Sequence, residues 1–421
     1  FISGGDQDIT DNIIHMVIAK LPNDEGKFVD DLGTVNFFMV PKMLVDEKTG
    51  KITGPNGVSV GAVEKKMGIK GNATCVMNFD NAVAYHLKGR APEKKAEDGK
   101  VVKSKSAGMA GMFGMMNGAR MGVGIQGIAA GEVAYQNGVA YANDRLAGRS
   151  LTGAKNPDGP ADPIMVFPDV RRLLISSRAF VEGARALAMY TSFLFSVARS
   201  SKDEAERQEA EDLSQLFTPV IKAYFTDKGF EAANASMQVF GGHGYIRDNG
   251  MEQFVRDARI NQVYEGANGI QALDLVARKM TSKGGRATLA YFAKLEAFIK
   301  ENEGDAEMKI YIDALRTGYG RLGEAAGWLM ANAPKNYDNA GAASYDILNI
   351  FGTVTLAWMW AQMAKVSLTK LKEGTGNPDF YKRKLTLARY WAEREVPMTA
   401  GWLERAKAGS EGLMELDAVN F

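Results

Sequence analysis

The chain has a single cysteine, Cys75, so no disulfide can form within it and no cysteine cluster for a metal can be built from one copy. Histidine is almost as scarce. His15, His86 and His243 lie far apart and none has a spacing such as HExxH, which leaves a histidine metal site without support. Neither sign of charge is in excess: 51 Lys and Arg face 50 Asp and Glu, a formal balance of +1. That removes the basic footprint expected of a nucleic-acid binder, so no nucleic-acid partner is expected. No uninterrupted apolar run reaches the length of about 18 residues that marks a membrane-spanning helix. The first residue is Phe1, and no charged-then-apolar leader follows it. We read a soluble, cytoplasmic protein whose beginning has been removed.

What is present is ordinary except for glycine. The 421 residues suggest about two or three domains, and 46% hydrophobic with 24% charged residues is a globular composition. Glycine, at 46 residues, is well above the average share of about 7%.

The first hundred residues read as β structure. Short β-branched or aromatic runs at 13–21, 35–40, 58–63 and 74–87 alternate with turns such as Gly54-Pro55-Asn56-Gly57, which predicts an antiparallel sheet or small barrel. Residues 88–105 are rich in lysine and nearly free of apolar side chains, and read as a solvated loop. Helical periodicity then takes over. Helices are predicted over 116–146, from Pro168 onward, and over 203–239, 251–260 and 268–280. Beyond residue 282 four more are expected, over 288–302, 306–331, 342–371 and 381–408. The class is α+β, in three parts: a β domain (1–111), a helical bundle (112–282) and an extra all-helical domain (283–421).

Gly122, Gly124 and Gly127 match GxGxxG, the dinucleotide fingerprint. That fingerprint needs a strand before it, and here the glycines sit inside a helical pattern. Close packing of two helices is the better reading. No GxSxG elbow supports a serine triad. Met109, Met112, Met115, Met116 and Met121 suit an apolar channel or a core equally well.

The informative stretch is 238–271. Gly241 and Gly242 follow a helical run, and adjacent glycines let backbone approach a flat ligand. Further on, Tyr264-Glu265-Gly266-Ala267-Asn268 places one carboxylate beside a glycine between two short helices, where a general base could reach a substrate. An exposed loop glutamate fits the same pattern.

These residues resemble the acyl-CoA dehydrogenase family, which has QxxGGxGY, an RDARI-like stretch and YEGT in this order. Three other places carry the likeness. Phe1-Ile2-Ser3-Gly4-Gly5 is similar to the end of a family strand. Met67-Gly68-Ile69-Lys70-Gly71, followed by Asn78 to Ala82, is similar to a family strand pair. Asn117 to Arg120 and then Arg145 fall at the start and end of the family's long helix. The likeness covers about residues 1–281, and the helical tail resembles that of the larger bacterial members.

The resemblance implies FAD as cofactor and an acyl-CoA as substrate, with a trans-2,3 double bond formed in the acyl chain. Glu265 would take the α-proton and the flavin N5 the β-hydrogen. Phe1 and Ser3 would lie against the flavin ring. Arg145, Gln238, Gly241 and Gly242 would hold the ADP portion, partly across the interface of a homodimer or homotetramer. Asn117, Arg120, Tyr264 and Gly266 would meet the substrate, and an electron-transferring flavoprotein would be the acceptor. Three departures stand out. YEGT is YEGA here, so Ala267 lacks a hydroxyl for FAD, and Asn268 is expected to compensate. A proline-rich insertion follows Arg145. The family's N-terminal helical domain is absent from the 421 residues. Within the family, residues 119–150 look most like dehydrogenases of 3-methylmercaptopropionyl-CoA, from dimethylsulfoniopropionate breakdown, and their broad-chain relatives. A DNA-binding flavoprotein branch is the rival, disfavoured by the acidic end of the chain.

Overall fold

The computed structural model describes residues 2–23, 25–29, 35–87, 94–95, 101–102 and 107–420, with side chains described outside 88–114. Phe1 therefore lies outside the described residues, as does most of the 88–105 stretch. The chain divides into two compact units, Phe1–Ala119 and Arg120–Phe421.

The first unit carries the strands: β1 (Ile2–Ser3), β2 (Ile14–Lys20), β3 (Val35–Pro41), β4 (Met43–Val45), β5 (Ile52–Pro55), β6 (Val58–Val63), β7 (Thr74–Phe79), β8 (Tyr85–His86), β9 (Lys94–Lys95) and β10 (Val101–Val102). They form two three-stranded antiparallel sheets, β1-β7-β6 and β2-β3-β8, and two separate pairs, β4-β5 and β9-β10. A small core of Phe38, Val40 and Val58 is buried here. The run at 74–87 is not one strand. It breaks between β7 and β8, where Asn81 takes a left-handed φ of 51° and Gly57 comes so near that a Cβ on it would lie 2.2 Å from the Asp80 carbonyl oxygen.

Eleven α-helices follow among the described residues: α1 (Ala107–Asp144), α2 (Pro168–Ser200), α3 (Glu204–Val239), α4 (Met251–Arg259), α5 (Asn268–Asp274), α6 (Ser282–Asn302), α7 (Lys309–Asn332), α8 (Asp338–Glu373), α9 (Pro378–Tyr390), α10 (Thr399–Lys407) and α11 (Glu411–Met414). Their ends follow local chemistry. Proline opens α2 and α9 at the first turn, where its missing N–H costs nothing. The Asp203 carboxylate accepts from the Ala205 and Glu206 N–H groups and caps α3. Gly374, left-handed at φ 64°, closes α8. The single helix expected over 381–408 is instead α9 and α10, separated by a π-helical turn at Trp391–Glu395 and a 3₁₀ turn holding Pro397. Proline cannot donate the next helical hydrogen bond, so the helix stops there.

One hydrophobic core runs unbroken from α2 and α3 through α8 to α10. Helix α8 is its axis, with 83% of its most apolar 18 residues buried. The large aromatic side chains there have satisfied polar ends. Trp360 Nε1 donates to the Ala179 carbonyl at 3.1 Å, Trp391 Nε1 donates to the Thr353 carbonyl at 3.1 Å, and the Tyr224 hydroxyl meets Thr353 Oγ1 at 2.8 Å. Buried tryptophan and tyrosine are tolerated on that condition.

The GxGxxG glycines do lie inside a helix, α1, and two of them make a close crossing with α3. A Cβ on Gly124 would sit 2.8 Å from the Ile221 carbonyl oxygen, and one on Gly127 would sit 2.4 Å from that of Phe225.

Candidate active site

Helices α4 and α5 are joined by a short segment whose centre is Tyr264–Asn268. Glu265 is left-handed there at φ 55°, and Gly266 follows at φ 88°. A glutamate rarely adopts that conformation, and such strain persists only where the surroundings enforce it. The enforcing groups pack against the turn. Gln271, fully buried, donates its side-chain amide to the Glu265 and Gly266 carbonyls at 3.4 Å each. A Cβ on Gly266 would lie 2.4 Å from Gln271 Nε2, so only glycine fits. The Tyr264 hydroxyl, from a half-buried ring, donates to Gln126 and to Asn261. Burial pushes that phenol above its ordinary pKa. Among the described residues the backbone N–H groups of Glu265, Gly266 and Ala267 have no partner, and the Glu265 side chain is half-buried.

Beneath the turn lie two buried cations. Arg120, on α1, pairs with Asp274 at 3.2 Å, both nearly inaccessible, and Arg278 reaches the other oxygen of the same carboxylate at 2.7 Å. The sequence reading placed Arg120 against the CoA chain; its side chain is instead turned inward onto Asp274, because a carboxylate this enclosed needs a countercharge. Lys222, on α3, is completely buried, and its ammonium donates to Asn268 Oδ1 at 2.8 Å. Asn268 is likewise turned inward. Its amide nitrogen donates to the Ala223 carbonyl at 3.2 Å, to Thr226 Oγ1 at 2.9 Å and to Asp227 Oδ1 at 2.7 Å. Asn268 therefore braces the turn from behind, and its amide is not free to replace the missing hydroxyl at position 267. Burial, opposed by Asp227 and reinforced by Arg120, pushes the Lys222 ammonium down to about 8, with Glu265 acting to hold its proton.

A second group of expected residues converges on a groove of about 510 Å³ lined by Tyr141, Arg145, Phe240, Gly241, Gly242 and His243, among others. Tyr141 and Phe240 stack at 4.0 Å, and the Tyr141 hydroxyl is 2.7 Å from His243 Nδ1. Among the described residues the Arg145 side chain has no partner, and a Cβ on Gly241 or Gly242 would meet open space. Gln238 is exposed on the last turn of α3, just before these glycines. The proline-rich insertion is folded: Asp162, fully enclosed, accepts from the Ser150, Lys155 and Asn156 N–H groups at 2.8, 2.9 and 2.7 Å. Those bonds, the Ser150 one foremost, hold its carboxyl below the usual range.

Ser3 and Asn117 belong to the first unit. The Ser3 hydroxyl is 2.8 Å from Thr74 Oγ1, its partner across the β1-β7 register, and Asn117 is half-buried one turn before Arg120 on α1. Of the methionines, Met121 is in the core and Met115 is exposed; Met109 and Met112 have side chains outside the described residues. Sequence reasoning missed Lys222, Gln271 and Asp274. The available signal was one charge inside the apolar run Val220-Ile221-Lys222-Ala223-Tyr224-Phe225.

The arrangement is a strained turn bearing one carboxylate, set over two buried cations in a helical bundle. Solved structures share that fold. Caenorhabditis elegans ACDH-11 in complex with C11-CoA matches with a TM-score of 0.71 at 17% identity, over 96% of this chain and 61% of that one. A Bacillus anthracis acyl-CoA dehydrogenase complexed with FAD matches at 0.68 and 19%, over 93% and 60%. Residues 106–281 match the family described as acyl-CoA dehydrogenase, C-terminal domain, and residues 291–417 that described as acetyl-CoA dehydrogenase C-terminal like. The 3-methylmercaptopropionyl-CoA dehydrogenase of Ruegeria pomeroyi is 34% identical over 94% of this chain and 63% of its own length. A broad-specificity linear acyl-CoA dehydrogenase of Mycobacterium tuberculosis is 32% identical over 100% of this chain and 68% of its own. The chain thus spans about two thirds of these relatives. It belongs to the acyl-CoA dehydrogenase family.

Proposed function

We propose that the protein is an acyl-CoA dehydrogenase in which Glu265 removes the α-proton of an acyl-CoA thioester. The observation that carries this reading is the turn itself. One left-handed residue offers a half-buried carboxylate together with its own unpartnered backbone N–H. An α-C–H is far too weak an acid for a carboxylate in water, so negative charge on the thioester oxygen must be met by a donor as it forms. The Glu265 N–H supplies such a donor with no reorganisation, because Gln271 and Asn268 already hold the backbone around it.

FAD, when bound, supplies the oxidant that accepts the β-hydrogen with its electron pair. The residues present fit such a group. The stacked Tyr141 and Phe240 offer an aromatic wall, Arg145 is a cation without a partner among the described residues, and Gly241 and Gly242 leave room for close approach. Arg145, Gln238, Gly241 and Gly242 would hold the dinucleotide, with Ser3 and Phe1 toward the flavin ring. Asn117, Tyr264 and Gly266 would line the path of the acyl-CoA. A homodimer or homotetramer and an electron-transferring flavoprotein as acceptor complete the reading.

The substrate is a short or medium acyl-CoA such as 3-methylmercaptopropionyl-CoA, a reading supported by the Ruegeria relative. The Mycobacterium relative supports the second reading, a broad-chain fatty acyl-CoA. One methylene is worth only about 1–3 kcal/mol in an apolar pocket, so a chain-length panel is needed to separate them. The test is anaerobic bleaching of the bound flavin by methylmercaptopropionyl-CoA, butyryl-CoA and longer acyl-CoAs, with Glu265→Gln alongside. Bleaching in the wild type and its loss in the flavin-replete variant are expected. Bleaching by the variant at the wild-type rate would overturn the role of Glu265.

A further inference from the structure

Lys222 is placed where a lysine is expensive. It is completely buried in the middle of α3, with Val220, Ile221, Ala223, Tyr224 and Phe225 buried around it, and among the described residues no carboxylate lies within ion-pair distance of its ammonium. Its hydrogen-bond partner is the neutral Asn268 Oδ1. An ammonium taken out of water with one neutral acceptor loses far more hydration than it regains. A methionine of similar length would fill the space without that cost. Packing therefore does not account for the charge.

The position does. Asn268 is three residues beyond Glu265, and the same asparagine is tied through its nitrogen to Ala223, Thr226 and Asp227 of α3. Lys222 thus closes the bracing that fixes the turn to the helix beneath it. The charged groups within reach of its ammonium are Asp227 of its own helix, Arg120 of α1 and Glu265 of the turn. Arg120 is already matched by Asp274 of α5. Asp227 accepts from Asn268 and from the Gln262 side chain, and the Tyr345 hydroxyl of α8 donates to its other oxygen. Neither Asp227, which no cation pairs among the described residues, nor Glu265 touches the ammonium, so Asn268 is its one direct partner.

Resting on the assignment of Glu265 as base, we propose that Lys222 is a positioning residue for that base: its ammonium locks the turn through Asn268. Two substitutions test the clamp. Lys222→Met removes it. Lys222→Gln keeps a donor for Asn268 and removes the charge.

The experiment compares wild type, Lys222→Met and Lys222→Gln by hydrogen-exchange mass spectrometry over residues 264–271, by thermal unfolding at pH 7, and by the rate of flavin reduction at saturating acyl-CoA. Lys222→Met is expected to melt at or above the wild-type temperature, because a buried charge has gone. Its turn amides should exchange about tenfold faster, and its flavin reduction should slow about tenfold. Lys222→Gln should restore slow exchange and most of the rate. A simple packing role would lower the melting temperature of Lys222→Met and leave exchange at the turn unchanged. Wild-type exchange in Lys222→Met overturns the proposal, as does failure of both variants to fold. If wild type reduces its flavin with no acyl-CoA, the dehydrogenase reading fails, while the exchange arm still decides the clamp.

Discussion

Gly127 of α1 and Gly229 of α3 face each other with no room for a side chain between them: a Cβ built on Gly229 would lie 2.2 Å from the Gly127 carbonyl oxygen. The obstructing atoms are backbone, so they cannot swing aside as a flexible side chain would. This crossing brings the helix of Arg120 and Gln126 against the helix of Lys222, and so sets the floor of the candidate site.

Gly229→Ala is therefore expected to destabilise the protein by about 3 kcal/mol, the upper end for overpacking. Gly323→Ala, in α7 with nothing near its Cβ, should instead gain about 0.5–1 kcal/mol from helix propensity. Denaturant titration of the two variants reads the contrast. Equal effects would mean that the crossing is not tight.

Gly266→Ala tests the turn. A Cβ there meets Gln271 Nε2 at 2.4 Å, and the backbone is left-handed at φ 88°. Relief of that clash tilts the Glu265 carboxylate. Flavin reduction by acyl-CoA should fall at least about 100-fold, since misplacement of a reacting group by about 1 Å costs that much. Bound flavin absorbance should be unchanged, and a rate near wild type would refute the geometry.

Removal of one partner from the Arg120–Asp274 pair leaves a buried, uncompensated charge. Asp274→Leu should cost about 3–5 kcal/mol, and the double variant with Arg120→Met should recover most of it. The measurement is a double-mutant cycle by chemical unfolding. Additive losses would show that the two side chains do not depend on each other.

Lys222 has a signature at alkaline pH. Burial lowers its ammonium to about 8, while an unfolded lysine titrates near 10.4. Between those values the unfolded chain binds more protons than the folded one, so stability rises with pH across the window, by about 3 kcal/mol in total from this group. Lys222→Met should lack that rise. Denaturation at pH 7.5 and pH 10 for both proteins gives the difference, and identical pH slopes would count against a buried ammonium.

Local signals carried much of the fold. Pro168, Asp203 and Gly374 mark helix ends by chemistry that acts over a few residues, and the structure uses each of them. What could not be read depends on partners far away in the chain. Arg120 and Asp274 are 154 residues apart, and Lys222 and Asn268 are 46 apart, so neither pairing leaves a periodic trace. The break in the last long helical run was legible in Pro397 and passed over. At the turn, Glu265 stood out only through the family likeness; its left-handed backbone is imposed by Gln271, a buried side chain that sequence spacing alone presents as an ordinary core-facing residue.

Helix α8 has a consequence for any attempt to divide the protein. Its 36 residues are long and apolar enough to pass for a membrane anchor, yet its greasy surface is spent on α2, α3, α7, α9 and α10. A fragment beginning after residue 282 would keep α7, α9 and α10 but bare the strip that α2 and α3 cover, and in a cell would meet chaperones, proteases or a bilayer before it met its missing half. The tail is thus no detachable accessory, and the helices around the candidate site and those beyond them have to be made, folded and inherited together.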